Sequence, residues 1–222
     1  MKKIMGLLTT MSLVLSLAAC ASSDTESSST ADNNASLPSV SSSSESKITE
    51  ESDTDVTEQT ENNTKILVVC FSATGNTKAV AEKVVEVTGA DYFEIVPEEL
   101  YSEDDLNYSD DTCRANREQQ DENARPSISG IIENMDQYEI VLIGHPIWWG
   151  MEPRIIDTFM ENYDFSGKTL VNFCTSGGSG ISTSTDNLKA LSPDADWLEG
   201  RRFSADTDTE AIQEWIGSLN LG

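Results

Sequence analysis

Lys65 to Lys78 reads KILVVCFSATGNTK, and this stretch decides the fold. Ile66 to Phe71 is an almost unbroken apolar run, the pattern of a strand buried on both faces in a parallel sheet. It stops at Ser72-Ala73-Thr74-Gly75-Asn76-Thr77, a turn of small hydroxyl and amide residues. From Thr77 to Val87, residues Ala79, Val80, Ala81, Val84, Val85 and Val87 give a helix with one apolar side. A strand, a hydroxyl-rich turn and a helix N-terminus together make an anion site, because the first-turn N–H groups lack intrahelical acceptors. No Arg or Lys lies in the loop before Lys78, so an anion there is expected to be held by dipoles and hydroxyls.

The pattern repeats outward from this unit. Asp91 to Val96 reads as a second strand, after Gly89 as a helix stop. Pro97 to Gly130 is a long, polar, acidic insertion with a helix expected near Asp111 to Asn123. Glu139 to Gly144 is the third strand, and Pro153 to Tyr163 a helix with Pro in its first turn. Thr169 to Cys174 is the fourth strand, followed by a helix over Ser182 to Leu191. Trp197 to Phe203 is a weaker fifth strand, and Thr209 to Leu219 the closing helix. Strands alternating with helices predict an α/β fold, a doubly wound five-stranded parallel sheet in the order 2-1-3-4-5. Ligands in such a sheet bind beyond the carboxyl ends of the strands, where the order reverses.

Three loops meet at that point. Ser72-x-Thr74-Gly75-Asn76-Thr77 resembles the phosphate loop of the flavodoxin family, and both Gly-x-x-x-x-Gly-Lys and Gly-x-Gly-x-x-Gly are missing from it. The third strand ends in His145-Pro146-Ile147-Trp148-Trp149-Gly150, similar to the family's Pro-x-Trp loop. The fourth ends in Cys174-Thr175-Ser176-Gly177-Gly178-Ser179-Gly180, at the place of the family's second ring loop. The resemblance implies FMN as cofactor. Its phosphate would lie on Ser72, Thr74, Gly75, Asn76 and Thr77, and its ring against Pro146, Ile147, Trp148, Trp149 and Gly150. Trp148 would be the stacking side chain, with the pyrimidine end against Thr175, Ser176, Gly177 and Gly178. The family's carriers usually place a Tyr in that last loop, and Thr175 to Ile181 holds no aromatic residue. One ring face is therefore expected to be open, as in flavin-dependent reductases of this fold. Electron carrier and reductase of a quinone-like acceptor both fit, and a binding module that no longer takes FMN is the alternative. Arg125 is expected to pair with acids, and no catalytic side chain or metal site is expected.

The N-terminus is of another kind. Met1-Lys2-Lys3 and the apolar Ile4 to Ala19 have the build of a secretion signal. Leu17-Ala18-Ala19-Cys20 resembles the bacterial lipobox, which implies a lipid on Cys20 and a membrane anchor on the extracytoplasmic face. A plain signal cut near Ala19 is the other reading. Residues 20–64 then form a tether: Ala21 to Thr64 holds 13 Ser, 7 Thr and ten acids against Lys47 alone. So little apolar surface cannot offset backbone entropy, and disorder is expected. Residues 65–222 form the domain, with 29 acids against 11 bases. That excess argues against nucleic acid and suits a redox partner with a basic patch, or a small acceptor. It is also expected to disfavour an anionic reduced flavin. Cys70, Cys113 and Cys174 form no C-x-x-C pair, and His145 is the only histidine, so zinc is not expected.

Overall fold

The structure is a computed structural model that describes residues 64–221. The signal, Cys20 and tether readings lie outside the described residues. Strand β1 (Ile66–Cys70) pairs in parallel with β2 (Asp91–Glu94) on one side and β5 (Ile140–Pro146) on the other. Beyond β5 comes β6 (Thr169–Thr175), and beyond β6 lie two short pieces, β7 (Asp196–Trp197) and β8 (Arg201–Phe203). The order β2-β1-β5-β6 with β7 and β8 at the edge is the expected 2-1-3-4-5, its fifth position divided.

The sheet is covered on both faces, and the strand alternation decides which side chain goes where. Val68, Cys70, Leu142, Val171 and Phe173 pack with α1 (Asn76–Thr88) and α5 (Thr209–Leu219), which contribute Val80, Val84, Ile212 and Trp215. Leu67, Val69, Val141, Ile143 and Leu170 point the other way. They meet Ile155, Ile156 and Phe159 of α3 (Arg154–Glu161) and Leu188 of α4 (Ser182–Leu191). Each such side chain contributes roughly 1.5–3 kcal/mol by leaving water.

Three expectations are corrected. The fifth strand is not continuous. Leu198 N–H still bonds Leu170 O (2.9 Å), but at Gly200 the chain presses against β6. A β-carbon there would stand 2.5 Å from the Asn172 carbonyl oxygen. The second strand ends at Glu94; Val96–Pro97 (β3) leaves the sheet to pair antiparallel with Ile128–Ser129 (β4). The insertion's helix, α2, is shorter than read, Arg114–Gln120, because the Cys113 sulfur already accepts from Asn116 N–H and caps it. No described helix is long and apolar enough to cross a membrane.

Candidate functional site

At the carboxyl ends of β1, β5 and β6 a cleft of about 840 Å³ opens. Its first wall is the turn between β1 and α1. Gly75, at φ +84°, supplies the left-handed conformation that starts α1, and no side chain caps the helix. Ala79 N–H bonds Gly75 O, so the amides of Asn76, Thr77 and Lys78 precede the first intrahelical bond. No acid stands in that first turn, although the chain has 39 of them. Thr74 and Asn76 face the cleft, and Asn76 Nδ2 donates to Thr74 Oγ1 at 3.3 Å. Thr77 is buried, its hydroxyl 2.7 Å from that of Thr175. Ser72 lines a smaller neighbouring pocket of about 190 Å³ with Phe71 and Tyr101.

The second wall is aromatic. Trp148 and Met151 exchange backbone hydrogen bonds (2.8 and 3.1 Å) around Trp149 at φ 50° and Gly150 at φ 87°. Positive φ at both central residues makes a tight primed turn, and its tip projects Trp149 outward. Trp149 is 51% exposed and Trp148 only 5%. Trp148, expected to stack on a ring, lines the cleft with most of its surface covered. Its indole is fixed edge-on against Phe71 and Tyr101 (centroids 5.7 and 5.3 Å), and the open aromatic face belongs to Trp149. Tyr108, from the insertion, packs on Trp149 at 5.0 Å and lines the same wall.

The insertion also holds this turn in place. Gln119 Nε2, in α2, donates to Trp148 O (3.2 Å) and Glu152 O (2.9 Å). Arg125 points away, paired with Glu161 at 2.8 Å, the acid pairing its surroundings led one to expect. His145 is fully buried and does not line the cleft. Its Nδ1 bonds Pro146 O, and Nε2 accepts from Ser184 Oγ at 3.1 Å; burial pushes its pKa down to about 4, so the ring is neutral. Glu152 is also fully buried, neither carboxyl oxygen has a partner, and burial pushes its pKa up to about 7.

The third wall is polar: Thr175, Ser176, Gly177, Arg202, Ser204 and Ala205. Gly178 N–H turns back to Ser176 Oγ (3.1 Å). Arg202 was not read from the sequence as part of the site, nor were Tyr108, Ser204 and Ala205. Arg202 lies far beyond the phosphate-loop motif, and only the pairing of β8 with β6 brings it to the cleft. A cation does line the cleft, and no Asp or Glu does, despite the chain's net charge of −25. Burial pushes the thiols of Cys70 and Cys174 up to about 12, so both are small apolar side chains beneath the strand ends. Among the described residues no cluster of potential metal ligands occurs.

These features agree with the chain's relatives. The flavodoxin family profile matches residues 65–219. A candidate flavoprotein from Bacteroides eggerthii DSM 20697 is 43% identical with a TM-score of 0.68, over 72% of this chain and 100% of that one. Another from Bacteroides uniformis ATCC 8492 is 38% identical (TM-score 0.67), over 69% and 98%. A flavoprotein from Lactobacillus acidophilus NCFM, solved in complex with FMN, shares the fold at 24% identity and TM-score 0.53, over 69% and 99%. No curated protein matches the chain. A parallel sheet of this order, the uncapped α1 turn and a profile match spanning the whole described domain lead to one assignment: the chain belongs to the flavodoxin family.

Proposed function

We propose that this chain is an exported, lipid-anchored FMN protein that passes electrons to a small planar acceptor. The observation that carries the FMN reading is the cleft itself. It has unpaired helix amides and hydroxyls at one wall, an aromatic wall beside them, and no carboxylate anywhere in its lining. Those donors suit a phosphate, and the exposed indole of Trp149 suits a flat ring. When bound, FMN supplies the electron and hydride chemistry. The amides of Asn76 to Lys78 and the hydroxyl of Thr74 would hold the phosphate, while the Thr77–Thr175 contact keeps that turn against β6. Trp149 and Tyr108 would cover one side of the ring and exclude water from it.

The acceptor reading rests on asymmetry. All three aromatic residues of the cleft stand in one connected group, and the rest of the lining has none. A ring covered on one side leaves the other accessible to a flat acceptor at reacting distance. The donor would be a reduced nicotinamide, a reduced quinone or a protein reductase. The lipid anchor rests on Leu17-Ala18-Ala19-Cys20 and the acidic Ser/Thr tether behind it.

An absorption spectrum of the purified full chain, then titration of the apoprotein with FMN and riboflavin, tests the cofactor. A flavin spectrum and at least tenfold tighter binding of FMN are expected, because the phosphate uses several charge-assisted hydrogen bonds. Equal affinity for the two would overturn the assignment of the α1 turn to phosphate.

A further inference from the structure

The cleft has one cationic side chain, Arg202, and it takes part in no salt bridge among the described residues. We propose that Arg202 is the counter-charge of the cleft, binding a negatively charged group of the flavin. That group is either the phosphoryl group or the ring in its reduced, anionic form. This inference rests on the FMN reading above.

Lys78, Arg114, Arg125 and Arg154 pair with carboxylates, and none of them lines the cleft. Arg202 instead makes one bond, Nη1 to the Ser176 carbonyl at 3.1 Å. Arg202 is exposed at the edge of the cleft, and a guanidinium has five N–H donors in a fixed fork, so most of them are available to a ligand there.

Its position follows from the register. Arg202 stands opposite Cys174, and Phe203 opposite Thr175, the residue whose hydroxyl touches Thr77 in the first turn of α1. The arginine thus starts one strand spacing, about 4.8 Å, from the strand that abuts the phosphate turn. Gly200 makes this possible, since only a residue without a β-carbon lets the edge strand close onto Asn172 before β8 begins. The guanidinium lies close enough to the Cys174 thiol, across the strand pair, to oppose the effect of burial on it. With no carboxylate in the lining, nothing there neutralises it.

The competing role is a clasp on the Ser176 loop, for which a neutral donor would serve as well. Arg202→Gln keeps a donor and removes the charge; Arg202→Lys keeps the charge and loses the fork. Both full-length variants and the parent should be titrated as apoproteins with FMN and riboflavin, first oxidised, then reduced under anaerobic conditions. Contact with phosphate predicts that Arg202→Gln binds oxidised FMN about 10- to 100-fold more weakly, with riboflavin unchanged. Contact with the reduced ring predicts a loss confined to the reduced state and alike for both flavins. In either case Arg202→Lys recovers part of the loss, and the parent's affinity falls with added salt more steeply than that of Arg202→Gln. An unchanged Arg202→Gln overturns the inference, as does an equal loss for both flavins in both states. A parent that binds neither flavin overturns the FMN reading and this inference together.

Discussion

The hydroxyls of Thr77 and Thr175 lie 2.7 Å apart, buried, with 98 residues of chain between them. They join the first turn of α1 to the end of β6, so two of the three cleft walls are tied at one point. Thr77→Val should leave the Thr175 hydroxyl buried without a partner and cost about 1–3 kcal/mol. Thr77→Val with Thr175→Val should recover part of that, since both partners are then removed. Denaturant unfolding of the two single variants and the double variant measures the coupling. Additive losses would show that the contact carries no energy.

Trp148 and Trp149 should separate stability from ligand binding. Trp148 packs edge-on among Phe71, Tyr101 and Tyr108, so Trp148→Ala should cost about 3–5 kcal/mol through the cavity it leaves. Trp149 sits at a turn tip, and Trp149→Ala should change stability by no more than about 0.5 kcal/mol. The same variant should weaken FMN and restore part of the flavin emission that a stacked indole quenches. Thermal unfolding and fluorescence of the two variants give opposite rankings if this assignment is right.

That division of roles was not legible in the sequence, although the loop was. Pro146-Ile147-Trp148-Trp149-Gly150 identifies itself by composition, but only the backbone at Trp149 and Gly150 decides which indole turns out. The elements were legible for a simpler reason: α5 lies on the residues its apolar periodicity marks, Thr209–Leu219, and α4 on the stretch read as helix, Ser182–Leu191. Local pattern fails where a distant contact decides. Gly200 meeting Asn172 breaks the last strand, and Gln119 holding Trp148 O gives the insertion its role. Arg202 escaped notice because its place depends on pairing across the sheet edge rather than on a motif.

Glu152 and His145 should act oppositely on stability as pH changes. Burial raises the folded pKa of Glu152 from 4.5 to about 7, so its contribution is complete below pH 4.5 and is lost as pH rises towards 7. Burial lowers that of His145 from 6.5 to about 4, so its contribution is complete above 6.5 and is lost as pH falls towards 4. The two offset each other between pH 4.5 and 6.5. Glu152→Gln should therefore expose the histidine, with stability falling between pH 6.5 and 4 more steeply than in the parent. Urea unfolding at half-unit pH steps measures the slope, and identical slopes would place the Glu152 proton elsewhere.

Anchoring should depend on Cys20. Cys20→Ala is expected to give an unprocessed precursor or a soluble secreted form, with no lipid label. If the variant takes lipid and fractionates with the membrane as the parent does, Leu17-Ala18-Ala19-Cys20 is not the processing signal.

The polar wall should admit the acceptor. Its side chains other than Arg202, those of Thr175, Ser176, Ser204 and Ala205, are too small to cover a ring, and none is aromatic. Electron transfer to a flat acceptor needs close approach, and a second stacked aromatic would block it. The domain's acid excess acts on the donor side, repelling the phosphates of a nicotinamide cofactor, so oxidation of NAD(P)H should accelerate as salt rises. Uncharged quinones should show no such dependence. Anaerobic stopped-flow separates the half-reactions: oxidised protein mixed with NAD(P)H, then reduced protein mixed with soluble quinones, both followed by flavin absorbance. Ser204→Trp places a ring on the polar wall. It should slow quinone reduction at least tenfold while FMN affinity stays within about twofold. Quinone reduction unaffected by Ser204→Trp would mean that the acceptor does not use this wall. No turnover with any small acceptor, together with rapid exchange to a protein partner, would assign the chain to the electron carriers.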